Sequence, residues 1–151
     1  MIAAALSWQM ALTVRAAPAS GLPVALSLKD ELDAALRLAQ PLVVMISLEG
    51  CPFCRVVREH HLLPLQQEGQ TIVQVDMRSN ARVLDFAGQS RTHDELVKAW
   101  KVAVAPTLLF FGKGAKEVAP RLQGASIPDF YGAFLEQRIH AARLDLTAAR
   151  R

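Results

Sequence analysis

The two cysteines of this 151-residue chain stand three positions apart, in Cys51-Pro52-Phe53-Cys54, between segments of different periodicity. Upstream, from Pro41 to Leu48, the run Leu42-Val43-Val44-Met45-Ile46 is continuously apolar, the pattern of a central strand covered on both faces. Downstream, Arg55 to Gln67 reads as a helix with apolar positions at Val56, Val57, Leu62 and Leu63, bent or ended by Pro64. A strand that turns directly into a helix at a Cys-x-x-Cys restricts the chain to α/β arrangements and points to a thiol–disulfide redox site. The junction supplies the chemistry. Cys51 falls at the helix N-cap, where unpaired backbone N–H groups and the positive end of the helix dipole stabilise a thiolate. Pro52 falls at the first helical position, where its missing N–H costs nothing. Cys54 lies one turn on, close enough to close a disulfide.

The remaining elements follow from caps and breakers. Gly21 to Ala25 is an apolar lead-in, read as a first edge strand. Ser27 opens a helix with Asp30 as a capping-box partner, and Leu28, Leu32, Ala35, Leu36 and Ala39 form its buried stripe until Pro41 stops it. Thr71 to Val75 is the next strand. Residues 77–91 are a long insertion in which Val83 to Phe86, followed by Gly88, suggests an extra strand pair. Thr92-His93-Asp94-Glu95 is a capping box for a short helix to Trp100. Thr107 to Phe111 is an apolar strand, Gly112-Lys113-Gly114 a turn, and Glu117 to Leu122 the antiparallel return. Ser126 caps a last helix, whose core face is read as Ile127, Phe130, Tyr131, Phe134, Leu135 and Ile139. The order predicts helices on both faces of a mixed sheet, parallel first and hairpin last.

Length predicts one domain, residues 21–151, after a distinct segment of residues 1–20. Met1 to Val14 is largely apolar and uncharged, and Ala17-Pro18-Ala19 offers a cleavage pattern, although a basic n-region is missing. This resembles a secretory signal peptide. It predicts export to the periplasm, with no stable membrane insertion after cleavage, and an oxidising compartment. The net charge of +3 comes from cations scattered among acidic residues, so no nucleic-acid partner is indicated. A disulfide closing a loop of two intervening residues is a weak staple, which favours a redox role over a structural one.

Cys-x-x-Cys after the first central strand, with Val104-Ala105-Pro106-Thr107 before the hairpin, resembles the thioredoxin superfamily from about Leu26 to Ile139. Leu48-Glu49-Gly50-Cys51-Pro52-Phe53-Cys54 and the long insertion look most like its exported bacterial thioredoxin-related members. The resemblance implies a thioredoxin-like three-layer α/β/α sandwich with a mixed central sheet. It implies a cis peptide at Pro106, lying against the redox pair, with the Ala105 backbone pairing with an extended substrate segment. Gly50, Pro52 and Phe53 would complete the substrate-binding rim, with Cys51 and Cys54 catalytic. There are departures. Gly50 precedes Cys51 where typical thioredoxins carry Trp, and Pro-Phe fills the motif. Met45 stands where thioredoxins bury a carboxylate, so Glu49, Glu59 or water would have to take the second cysteine's proton. Cys-Pro-aromatic-Cys is closer to glutaredoxins, but no glutathione-binding set is evident.

The expected activity is thiol–disulfide oxidoreduction on protein disulfides through a Cys51/Cys54 dithiol–disulfide cycle. It needs no cofactor, and its partners are protein thiols and disulfides and a membrane electron donor. Dedicated oxidants of the superfamily usually carry a large helical insertion that is missing here, so the expected role is that of a reductase or isomerase, with reduction favoured, by a monomer. Arg55 and Arg58 could support a Cys51 thiolate if they reached back, but the expectation for both is a solvated helix face. A copper(I) carrier is a competing reading, since thiolates suit that metal. It is weakened because His61 lies two turns beyond Cys54 beside His60, and no second cysteine pair exists, so no metal site is assigned. A non-catalytic binding module is the third reading, opposed by the cysteine pair and Pro106. Covalent haem is disfavoured, because Arg55 stands where Cys-x-x-Cys-His needs histidine.

Overall fold

In the structure, a computed structural model that describes residues 21–125 and 128–148, the elements in chain order are α1 (Leu28–Arg37), β1 (Leu42–Ser47), α2 (Pro52–Val57), a π turn (Arg58–Leu62), α3 (Leu63–Gln67), β2 (Ile72–Asp76), β3 (Arg82–Leu84), β4 (Ser90–Thr92), α4 (His93–Ala99), β5 (Thr107–Phe111), β6 (Leu122–Gln123) and α5 (Tyr131–Ala148). β1 is central, and all six of its residues are buried. It pairs parallel with β2 and antiparallel with β5, which pairs antiparallel with β6, giving the order β2-β1-β5-β6. The sheet is mixed, with helices on both faces, as the sequence predicts.

Alternation along β1 assigns each side chain to a layer. Leu42, Val44 and Ile46 face Leu28, Leu32 and Ala35 of α1 and Leu96 and Val97 of α4. Val43 and Met45 face the motif helix and α5, with Cys54, Val57, Leu62, Tyr131, Leu135 and Ile139. Burying an aliphatic side chain of this size contributes roughly 1.5–3 kcal/mol, so these two layers hold the sheet from both sides.

Caps set the helix starts. The Ser27 hydroxyl accepts from Asp30 N at 3.4 Å, but the carboxylate that reaches back belongs to Glu31, accepting from Leu26 N at 3.0 Å. Thr92 and Glu95 form a full capping box, with Glu95 N to Thr92 Oγ1 at 3.1 Å and Thr92 N to Glu95 Oε2 at 2.7 Å. The buried His93 takes Asp76 N on Nδ1 at 3.0 Å, tying α4 to β2. Pro64 does not end the motif helix. Proline has no N–H to offer the carbonyl four residues back, and the π turn just before it pairs Leu63 N with Arg58 O instead.

Residues 77–91 carry most of the expected strand pair, β3 antiparallel to β4, joined to the segment just before the first helix by Leu84 N to Leu26 O at 2.9 Å. Four expectations are corrected. The lead-in strand reduces to a single bridge, Val24 to Gln74. The return from β5 is only a bridge at Glu117 followed by the two-residue β6, since Pro120 cannot donate to a ladder. Phe130 and Phe134 are exposed, and the α5 stripe is Tyr131, Leu135, Ile139, Ala142 and Leu146. Val56 is exposed as well, because Cys54 and Val57 take the inward face of α2. The leader segment of residues 1–20, and the expected Ser126 cap with Ile127, lie outside the described residues.

Candidate redox site

Cys51 stands at the N-cap of α2, with Pro52 in the first turn behind it. Its sulfur accepts the backbone N–H of Cys54 at 3.2 Å. This is the hydrogen bond an N-cap side chain normally makes through oxygen, here made to the atom that would carry charge as a thiolate. Gly50 precedes it at φ 72°, in the left-handed region, so the chain can turn from β1 into the helix without a Cβ penalty. Cys51 is half-buried and Cys54 buried, and both are free thiols. One sulfur of the pair is therefore open to a partner, and the other can reach only Cys51.

On one side of Cys51 lies the Ala105–Pro106 peptide, which is cis, with the Ala105 carbonyl 4.0 Å from the sulfur. Pro106 is buried and Ala105 partly exposed. Thr107 locks the approach to β5 by donating its hydroxyl to Val104 O at 2.7 Å. Phe53, inside the motif, and Val104, next to Ala105, are both exposed apolar side chains. Cys51 also borders an open groove of about 900 Å³, lined among others by Glu49, Arg55, Arg58, Met77 and Arg78. The groove lies beyond the carboxyl ends of the parallel pair β1 and β2, where open α/β sheets bind their ligands.

Beneath the motif, Met45 is fully buried and Cys54 is 1% exposed. Burial first, and the Cys51 sulfur second, push the Cys54 thiol up to about 11. The Leu48 backbone and the Ser47 side chain act in the opposite sense. Glu49 and Glu59, the carboxylates named as proton acceptors, are both exposed and are not among the groups that act on Cys54. The buried Tyr131, on α5, has a hydroxyl with no hydrogen-bond partner; burial raises its pKa, and Cys54 adds to the effect.

Arg55 is exposed, as expected, but Arg58 is not a solvated residue. Its Nη2 donates to Ser47 Oγ at 2.9 Å and its Nε to Gln74 Oε1 at 2.8 Å. Ser47, Gln74 and Tyr131 are the site residues that reading the sequence missed. Strand parity was the available signal for Ser47, which shares a β1 face with Met45. His61 packs on Tyr131, ring centroids 4.9 Å apart. Among the described residues, no group of three or more His, Cys, Asp or Glu side chains converges as metal ligands, and no helix is long and apolar enough to cross a membrane.

A mixed sheet between two helix layers, with Cys-x-x-Cys at a helix N-cap facing a cis X–Pro peptide, defines a thioredoxin-fold protein. The thioredoxin-like domain family matches residues 28–139, and the chain belongs to it. Several solved structures share the fold. A thioredoxin from Thermus thermophilus is 17% identical, with 85% of this chain and 93% of that one covered at a TM-score of 0.56. A thioredoxin-fold protein from Helicobacter pylori is 16% identical, covering 74% and 80% at 0.55. The DsbH oxidoreductase is 16% identical, covering 91% and 96% at 0.52. No curated protein sequence matches the chain.

Proposed function

We propose that the protein is a thiol–disulfide oxidoreductase that reduces protein disulfides in the periplasm. The observation that carries this reading is the asymmetry of the pair: a half-buried Cys51 capping the helix opposite the Ala105 carbonyl, and a buried Cys54 whose backbone N–H bonds the Cys51 sulfur. Cys51 attacks one sulfur of a substrate disulfide as thiolate, and the other substrate sulfur leaves as thiolate and takes a proton from solvent. Cys54 then loses its proton and attacks Cys51 Sγ. The bound substrate sulfur departs as a thiol, and the Cys51–Cys54 disulfide remains. Two electrons have passed to the substrate, and a membrane electron donor returns them.

The exposed Phe53 and Val104 would hold apolar substrate side chains, with Gly50 and Pro52 shaping the approach to the sulfur. Ala105 beside Pro106 would pair with an extended substrate backbone by strand addition. The direction rests on the insertion between β2 and α4. It is a small hairpin, whereas the superfamily's dedicated oxidants usually carry a helical insertion. The compartment rests on the leader-like residues 1–20.

Insulin reduction tests the reading. Cys51→Ser is expected to reduce activity to background, and Cys54→Ser to accumulate mixed disulfides with exported proteins, visible as thiol-sensitive adducts on gels. Full activity of Cys51→Ser would overturn it.

A further inference from the structure

In the oxidoreductase cycle proposed above, on which this inference rests, the surface around Cys51 selects the disulfides that reach it. The groove of about 900 Å³ that Cys51 borders is lined by neither Phe53 nor Val104, and its charges come from Arg55, Arg58, Arg78, Glu49 and Asp76. Helix geometry brings two of the arginines there. Arg55 and Arg58 follow Cys51 by four and seven positions, so the three share one helix face. Arg78 comes from the turn after β2. Met77 N donates there to Ser47 O at 2.8 Å and fastens the start of the 77–91 insertion to the end of β1. Arg78 has φ 61°, a left-handed backbone that non-glycine residues rarely take and that clusters at functional sites. Arg58 is braced by two neutral acceptors, Ser47 Oγ and Gln74 Oε1. Among the described residues, none of the three arginines is in an ion pair, whereas Arg91 and Arg121 are each held against a carboxylate. Of the two groove carboxylates, Glu49 is exposed and Asp76 accepts from Gln74 Nε2 at 2.7 Å. Three arginines against two carboxylates leave the groove net positive.

We propose that this groove is a subsite for carboxylates flanking the disulfide, and that the preferred substrates are disulfides in acidic segments of proteins. A guanidinium takes a carboxylate through two parallel N–H donors, which gives direction as well as charge. Arg55 and Arg78 offer their whole forks, and Arg58, held through Nε and Nη2, offers Nη1. The groove is open and lies at the upper end of the roughly 300–1,000 Å³ typical of small-molecule sites. It therefore suits a run of residues, with the substrate cysteine at Cys51 and its acidic neighbours beside the arginines. The sulfur chemistry is unchanged: the Cys51 and Cys54 thiols become a disulfide, and the substrate disulfide becomes two thiols.

The experiment is a single-turnover reduction of peptide disulfides by the reduced protein. The peptides are equal in length, carry one cysteine joined to mercaptoethanol, and differ only in having Glu, Gln or Lys beside that cysteine. Each rate is divided by the rate with dithiothreitol, which removes the intrinsic reactivity of the disulfide. An exposed ion pair changes an equilibrium by roughly 1.4- to 5-fold, so the Glu peptide is expected to react about 3- to 10-fold faster than the Gln peptide at low ionic strength, and the Lys peptide more slowly than either. In 1 M salt, where the screening length is about 3 Å, the three rates should converge. Arg55→Glu with Arg78→Glu, both at exposed positions, should reverse the order in favour of the Lys peptide. The salt series needs no variant. Dithiodiglycolate and hydroxyethyl disulfide are compared in the same way, and a preference for this small acid as large as that for the Glu peptide would overturn the assignment to a protein segment. Equal rates for the three peptides, or an order that the arginine substitutions leave as it was, overturn this inference alone. A wild-type protein that reduces none of the peptides overturns the oxidoreductase reading and the inference with it.

Discussion

Cys54 links burial to chemistry and to stability. Its thiol is raised from an ordinary 9.0 to about 11, mainly by burial. In the unfolded chain it ionises near the ordinary value, whereas the folded protein keeps it protonated. Between those values the folded state binds more protons, so the stability it contributes is complete below about pH 9 and is lost as pH rises through about 11. The loss is on the order of 2 kcal/mol. Urea denaturation of the reduced protein at a series of pH values should show this fall, and reduced Cys54→Ala should lack it. Tyr131 titrates in both proteins, and burial, the main cause of its raised pKa, acts in both. An equal slope in the two would contradict the burial account. Ser47 and Leu48 oppose the upward shift of the Cys54 thiol, whereas Glu49 and Glu59 are exposed.

Among the elements, the motif helix and α4 show how local chemistry sets boundaries. Cys51 and Pro52 start one helix, and the π turn carries it past Pro64 to Gln67. That turn begins at Arg58, the residue that reaches back to Ser47 and Gln74. In α4, Thr92 and Glu95 satisfy each other's backbone N–H groups. Thr92→Ala is expected to cost about 1 kcal/mol, measured by urea denaturation at neutral pH, and to leave the alkylation rate of Cys51 unaltered. The caps at Cys51 and at Thr92 with Glu95 were legible in the sequence because each cap and its partner are three residues apart, whereas the π turn and the contacts of Arg58 were not. Nor was the face of α5. Both phenylalanines of its first turns lie at plausible helical spacing, yet the stripe through Tyr131, Leu135 and Ile139 is the one that meets β1 and β5.

At the scale of the molecule, the 77–91 insertion is more than a decorated loop. Val83 is buried among the residues between the sheet and helices α1 and α4, and Ser27 bridges to Leu84. Val83→Ala is expected to cost on the order of 2 kcal/mol, read as a lower midpoint in thermal unfolding of the reduced protein. A neutral result would place the hairpin outside the cooperative unit. The sequence by itself determined the order of elements, the mixed sheet and the place of Cys51 at a helix N-cap. Those depend on periodicity, caps and breakers within a few residues of one another. Only the tertiary structure decided which distant residues gather around the Cys51–Cys54 motif. Ser47, Arg58, Gln74 and Tyr131 come from a strand end, a helix turn, a neighbouring strand and the last helix. Hydrogen bonds and burial between such distant segments exist only once the sheet and its two helix layers have packed.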